Sequence, residues 1–254
     1  MGAGEVSPVS ALSVDAGAVR PGARARSADP ALAAGRRLAA LLGARGFRVT
    51  ADVSRAEAPA GSRTLAAVRS PDVPSLVEQM LLTSDDDLAE ALLRLVALEA
   101  GLPPTFDGGT TAVGDAVAAL GAPTDGLRLL DGSGLARGSR LAPETLTALL
   151  SLAADGSQPR LAPLVSGLPV AGFSGTLADR FGSGRRNPAA GIVRAKTGTL
   201  TGVASLAGLA TVGEGPTARV VAFALLSDDV PATGTLAARE ALDRIAAALL
   251  HPDG

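Results

Sequence analysis

The sequence predicts an α+β fold in which helices flank an antiparallel sheet. Three stretches toward the C-terminus, 191–200, 203–212 and 219–227, have the pattern and length of strands. A turn at 213–216 joins the last two, and such short connections favour antiparallel neighbours. The strongly apolar segment 235–250 predicts a closing helix that packs on one face of this sheet.

The residues before the sheet predict a succession of helices. A helix over 74–82 ends at Ser84, and a second helix spans 85–100. A glycine-rich turn and a further helix occupy 107–120. Three more features follow along the chain: a tight loop over 131–135, a helix over 143–152, and the start of a helix within 172–181.

The first part of the chain, 1–70, is mixed and rich in loops. It contains one helix, 31–44, with Asp29 as the N-cap and Pro30 at the first helical position. Three shorter stretches have the pattern of strands, namely 9–19, 47–53 and 64–69. We therefore treat 1–70 and 71–254 as separate units of organisation.

The composition excludes several classes of chemistry. Cysteine is absent and the only histidine, His251, lies near the C-terminus. Thiolate nucleophiles, Ser-His-Asp catalysis and histidine-based metal sites therefore lack their residues, and we expect neither a metal nor a cofactor. Aromatic residues are 2% and the net charge is −2, which argues against nucleic acid as a partner. No apolar run approaches a membrane span, and the first residues show no signal peptide.

Lys196 is the only lysine among 23 Lys and Arg residues, and it opens the series Lys196-Thr197-Gly198-Thr199. A lone lysine in such a background suggests a site that needs a compact ammonium. On a strand, this ammonium and the Thr197 hydroxyl can meet a carboxylate. Gly198 lets a substrate backbone lie close, and the Thr199 N–H points to where an oxyanion forms. The alternative is an exposed lysine at a strand edge followed by a turn glycine.

Ser84-Asp85-Asp86 stands at the break between two predicted helices. As a structural feature, Ser84 and Asp87 resemble a capping box, and acidic residues in a first turn suit the helix dipole. As a functional feature, the Ser84 hydroxyl relays a proton and Asp86 holds a substrate amide.

Four segments carry more information together than any single motif. They are TSDDDLAEAL at 83–92, DGSGL at 131–135, SGTLADRF at 174–181 and AKTGTLTG at 195–202. In this order they resemble the penicillin-recognising D-alanyl-D-alanine carboxypeptidase/endopeptidase family, the peptidase S13 or penicillin-binding protein 4 group. Asp131, Ser133, Thr176 and Arg180 fall within these segments, although they fit equally well as turn and helix-start residues.

The resemblance implies a serine-type acyl-transfer enzyme that cleaves the D-Ala-D-Ala end of peptidoglycan stem peptides or their cross-links, outside the cytoplasm. β-Lactams acylate such enzymes. It implies that Ser84 belongs to the family's second motif, Ser-x-Asn, and that Lys196, Thr197 and Gly198 form the third, with Lys196 and Thr197 at the substrate carboxylate. It also implies a β-lactamase/transpeptidase-like fold for 71–254, with 1–70 as the remnant of an inserted domain.

Two departures from the family pattern matter. Asp86 stands where the family has Asn, so this position lacks an NH₂ donor and adds a negative charge. The family's first motif, Ser-x-x-Lys, which supplies the nucleophile, cannot occur in a chain whose only lysine is Lys196. We therefore expect a fold incomplete on its N-terminal side, with an open edge at 219–227 and an apolar cavity beneath Ser84 and Lys196. We also expect no acyl-enzyme from this polypeptide alone.

Two functions stay open at this point. The first is a truncated family enzyme that is inactive alone. The second is a non-catalytic module, derived from that family, that holds peptidoglycan peptides or a partner. A β-lactamase relative is a third reading, and it needs a deacylating carboxylate that the sequence does not identify.

Overall fold

A computed structural model describes residues 6–23, 25–49, 52–182 and 189–250. In it, β1 (Val193–Leu200), β2 (Val203–Val212) and β3 (Arg219–Ser227) form an antiparallel sheet in the order β1-β2-β3. The predicted strands and their antiparallel pairing are confirmed. β1 begins two residues later than predicted, because Gly191 adopts a positive φ of 73° within a turn.

Seven α-helices lie within the described residues. They are α1 (Pro30–Ala44), α2 (Val73–Thr83), α3 (Asp86–Glu99), α4 (Phe106–Ala119), α5 (Pro143–Ala154), α6 (Ala162–Ser166) and α7 (Thr235–Ala248). All the helices predicted from the sequence are present except that 172–181 contains only a 3₁₀ turn, Gly175–Leu177. The short α6 was not predicted.

Local side chains explain where the helices begin. Asp29, Asp72, Asp85 and Thr105 each accept a hydrogen bond from a backbone N–H in the first turn of α1, α2, α3 and α4, respectively. These bonds satisfy donors that a helix start otherwise leaves unpaired. Proline in the first turns of α1, α2 and α5 adds a fixed φ where no intrahelical N–H bond is lost.

The sheet is covered on both faces. Because strand side chains alternate, Leu206 and Ala210 of β2 face the cluster that contains Leu242 and Ala246 of α7. Leu209, of opposite parity, packs instead with Leu150 of α5. The prediction that the closing helix packs on one face of the sheet is confirmed, and the α+β fold class with it.

The predicted strands in the first part of the chain are wrong for the residues described there. Within 9–19, 47–49, 52–53 and 64–69, the structure contains an isolated bridge, Ala18 to Arg26, and no strand. Asp15 and Ala16 adopt positive φ values of 51° and 50°, which interrupt an extended chain. Residues 64–69 are exposed throughout and, among the described residues, do not join the sheet β1-β2-β3, so they lack the partner that a strand needs. Residues 50 and 51 lie outside the described residues.

β3 is an edge strand in the part of the chain that the structure describes, as expected from the sequence. Val220 on this strand is 59% exposed. Among the same residues, no helix is both long and apolar enough to cross a membrane.

Candidate active site

A cleft of about 450 Å³ opens between the α2–α3 junction, β1 and the loop 132–135. All six residues predicted to form the site line it: Ser84, Asp86, Lys196, Thr197, Gly198 and Thr199. The lining is mixed, since Met80 and Leu81 stand beside these polar groups. The expected cavity beside Ser84 and Lys196 is therefore present, and its wall combines apolar side chains with the polar site residues.

Lys196 and Ser84 meet across this cleft. The Lys196 Nζ donates a hydrogen bond to the Ser84 Oγ at 2.7 Å, although the two residues are 112 positions apart in sequence. A second Nζ hydrogen bond of 2.7 Å goes to the backbone oxygen of Thr197. The ammonium is therefore fixed by one group from the helix junction and one from its own strand.

The α2–α3 junction turns the Ser84 hydroxyl toward the lysine. Ser84 caps the C-terminus of α2 in the left-handed conformation, with φ 58° and ψ 52°, which is uncommon for a residue with a side chain. Asp85 is the N-cap of α3, so Ser84 does not form the capping box considered above. Asp87 instead binds Arg26 at 3.1 Å and accepts from the Ser7 N–H at 2.7 Å.

Burial and a neighbouring carboxylate act in opposite directions on Lys196. Burial lowers the pKa of the Lys196 ammonium below its ordinary value of 10.5, and the charge of Asp86 partly opposes this shift. The site therefore favours proton release from Lys196 more than water does. A lysine of this kind suits proton transfer as well as anion binding.

The part of the β1 edge that follows Ala195 faces the cleft, and the Thr197 oxygen on it accepts from the Lys196 Nζ. On the same edge, the Ala195 N–H donates to the Pro169 oxygen at 2.9 Å, which shows that this residue directs its backbone outward from the sheet. Backbone groups of alternate residues point the same way, so Thr197 and Thr199 also direct their N–H and C=O groups outward. Gly198 lies between them and is exposed. An extended peptide can pair with this edge.

Glu90 was not predicted from the sequence as a site residue, and it binds the 132–135 loop that forms the opposite wall of the cleft. This residue of α3 is 1% exposed, and its Oε1 accepts from the backbone N–H groups of Gly132 and Ser133 and from the Ser133 hydroxyl, at 2.8–3.1 Å. Its Oε2 accepts from Arg94 at 2.9 Å. A glutamate within the apolar face of a helix, with an arginine four residues later, is the signal that could have identified it.

The remaining residues of the four family-like segments have structural contacts of different kinds. Asp131 accepts hydrogen bonds from backbone N–H groups within its own loop, as expected for a turn residue. Arg180 is 7% exposed and binds Asp243 of α7 at 2.6 Å. Thr176 lies against Thr197, with their hydroxyl oxygens 3.0 Å apart. Among the described residues, no group of three or more acidic, cysteine or histidine side chains could hold a metal.

Comparison with known proteins identifies the family. The model of the D-Ala-D-Ala carboxypeptidase 3 (S13) family matches residues 7–249. The chain therefore belongs to this family, as its four sequence segments suggested.

Individual relatives agree with this assignment. Carboxypeptidase DacB of Mycolicibacterium smegmatis is 40% identical over 251 residues, which is 97% of this chain and 52% of that protein. The D-alanyl-D-alanine carboxypeptidase of Actinomadura sp. strain R39 is 34% identical over 222 residues, which is 84% of this chain and 40% of that protein. The chain thus spans about half the length of the curated relatives it matches.

The fold agrees as well. Penicillin binding protein 4 (dacB) from Haemophilus influenzae, solved in complex with a β-lactam, superposes with a TM-score of 0.67 and 30% sequence identity. The superposition covers 79% of this chain and 45% of that one. The α+β fold is therefore of the transpeptidase-like type found in penicillin-binding proteins.

Proposed function

We propose that this chain supplies the substrate-binding part of a serine-type D-Ala-D-Ala carboxypeptidase/endopeptidase that acts on peptidoglycan stem peptides and binds β-lactams. The hydrogen bond of 2.7 Å between the Lys196 Nζ and the Ser84 Oγ carries this proposal. It joins the family's second and third motifs in one cleft. Because the substrate is peptidoglycan, the site of action is outside the cytoplasm.

The cleft fits the C-terminus of a stem peptide. The Lys196 ammonium and the Thr197 hydroxyl bind the terminal carboxylate, since charged donors form the stronger hydrogen bonds. The peptide backbone lies along the outward edge of β1 beside Gly198, with the Thr199 N–H at the carbonyl that is attacked. Asp86 accepts from the N–H of a substrate amide.

Proton transfer falls to the Ser84–Lys196 pair. Burial already lowers the pKa of Lys196, so the ammonium can pass a proton through the Ser84 hydroxyl to the leaving amine. The attacking serine of a Ser-x-x-Lys motif is not within this sequence, because Lys196 is its only lysine. We therefore infer that this chain alone does not form an acyl-enzyme.

A binding experiment tests the carboxylate site. An N-acetylated tripeptide ending in D-Ala-D-Ala is titrated against the chain by NMR, beside the same peptide as its C-terminal amide. The acid should bind about tenfold more tightly than the amide, and Lys196→Met should remove this difference. Arg194→Met is the matched control, because Arg194 is an exposed cation on the same face of β1. Equal binding of acid and amide by the unaltered chain would overturn the proposal.

Mass spectrometry tests the absence of the nucleophile. After incubation with benzylpenicillin, the intact mass of the chain should be unchanged. A stoichiometric adduct would show that a serine within this chain is the nucleophile.

The alternative function is a non-catalytic module that holds stem peptides. The absence of a Ser-x-x-Lys motif from the sequence favours it. The coding sequence upstream of Met1 distinguishes the two: an in-frame Ser-x-x-Lys motif and an export signal support the enzyme, whereas a stop codon and a promoter support the binding module.

A further inference from the structure

We propose that Thr176 is a positioning residue that directs the Thr197 hydroxyl toward the carboxylate of the bound peptide. This inference rests on the proposed function, because it assigns Thr197 to the carboxylate. The two hydroxyl oxygens are 3.0 Å apart. Thr197 lines the cleft, and Thr176 stands behind it, outside the residues that form the cleft wall.

Thr176 lies in the middle of the 3₁₀ turn Gly175–Leu177, and both neighbours of Thr176 are packed. A Cβ at Gly175 would lie 2.3 Å from the Leu82 oxygen, so the turn packs directly against α2. Leu177 is fully buried and anchors the other side of the turn. The Ser174 hydroxyl accepts from the Val170 N–H at 3.0 Å. The backbone that carries the Thr176 side chain is therefore held by contacts on both sides.

Each hydroxyl has a single proton, and this decides which of the two threonines donates the hydrogen bond when a ligand is bound. A threonine hydroxyl has one donor and two acceptor lone pairs, and an oxygen–oxygen distance fits donation either way. If Thr197 donates to Thr176, its only proton is used and cannot reach a carboxylate. If Thr176 donates to Thr197, the Thr197 proton is available, and donation in series strengthens both bonds. Binding of an anion selects the second arrangement.

The effect of removing Thr176 should differ between acidic and amide ligands. Without Thr176, the Thr197 side chain loses the partner that holds its rotamer and polarises its O–H group. An acidic ligand then binds less well, whereas an amide ligand, whose terminal NH₂ donates to the Thr197 oxygen, is little affected. A residue that only stabilises the fold would change both affinities equally.

The test compares acid and amide forms of the D-Ala-D-Ala tripeptide across variants of the full chain. Thr176→Val removes the hydroxyl at nearly constant volume, and it should weaken the acid about three- to tenfold and the amide by less than about twofold. Thr176→Ser should restore most of the acid affinity. Thr110→Val is the control, since the Thr110 hydroxyl binds only carbonyls of its own helix within the described contacts.

A double-variant cycle completes the test. In a Thr197→Val background, Thr176→Val should have no further effect on the ratio of acid to amide affinity. If Thr197→Val lowers this ratio and Thr176→Val does not, or if Thr176→Ser fails to restore it, the role of Thr176 is overturned while the proposed function stands. If neither Lys196→Met nor Thr197→Val changes the ratio, the proposed function itself fails. Should Thr176→Val not fold, Thr176→Ala is measured in the same cycle against the same criteria.

Discussion

Lys196 lines one wall of the cleft, and Glu90 lies buried behind the 132–135 loop that forms the other wall. The two charged side chains are satisfied in different ways. The Glu90 carboxylate is 1% exposed and accepts hydrogen bonds from the 132–133 loop and from Arg94. Lys196 is partly buried, donates to Ser84 and to a backbone oxygen of its own strand, and has its pKa lowered by burial. The Glu90 carboxylate is therefore surrounded by hydrogen-bond donors. The Lys196 ammonium lies at the cleft, where burial makes its ionised form less favourable than in water.

The difference separates a structural charge from a reactive one. A buried charge with a full set of partners fixes the geometry around it, and removing it leaves those partners without compensation. A charge whose ionised form is disfavoured responds to a ligand or to pH, and such groups cluster at functional sites. The predictions below test whether the two walls really differ in this way.

The largest effect should come from Glu90→Ala. Removal of the carboxylate leaves two loop N–H groups without their acceptor and Arg94 without its ion-pair partner, so the free energy of unfolding should fall by about 3–5 kcal/mol. Urea denaturation measures this change. Glu99→Ala, at the exposed end of the same helix, is the control and should stay within about 0.5 kcal/mol of the unaltered chain. A loss of less than about 1 kcal/mol for Glu90→Ala would contradict the structural role.

Lys196→Met should change how stability depends on pH. The pKa of Lys196 is lowered in the folded chain, so the unfolded chain binds more protons over the range just below 10.5. Stability of the unaltered chain relative to Lys196→Met should therefore rise with pH in that range, by at most about 1.4 kcal/mol per pH unit. Urea denaturation at several pH values measures this slope. A slope of zero or of opposite sign would show that burial does not disfavour the ammonium.

Ser84 offers a smaller test at the helix junction. Ser84→Ala keeps the left-handed backbone strain and loses the hydrogen bond to Lys196, whereas Ser84→Gly loses the same bond but relieves the strain. Ser84→Gly should therefore be about 1 kcal/mol more stable than Ser84→Ala. Thermal or urea unfolding of the two variants gives the difference. Equal stabilities would mean that the junction relaxes away from the left-handed conformation.

The smallest effect on stability is expected at the sheet edge. Val220 is exposed on β3, which has no further strand beside it among the described residues. Val220→Lys should change the free energy of unfolding by less than about 0.5 kcal/mol and should reduce concentration-dependent self-association. Sedimentation velocity measures the second effect. Unchanged self-association would show that copies of the chain do not associate through the β3 edge.

Features that depend on neighbours in sequence were predictable. Asp29 and Pro30 marked the start of α1, and short turns marked the strand order, because capping and hairpin pairing are local. The stretch 64–69 failed as a strand because a strand needs a partner, which sequence alternation does not supply. The spacing of Glu90 and Arg94 indicates a buried glutamate, but its hydrogen bonds to the loop go to residues 42 and 43 positions away, and no local pattern identifies those partners.

The central claim is that the single lysine is a partly buried ammonium that binds a carboxylate. Because Lys196 is the only lysine, ¹⁵Nζ labelling gives one side-chain signal, and its pH titration reports this group directly. We predict a midpoint below 10.5 in the free chain and a higher midpoint with the D-Ala-D-Ala acid bound, since an anion favours the charged form. A midpoint at or above 10.5 that does not respond to the peptide would contradict the account.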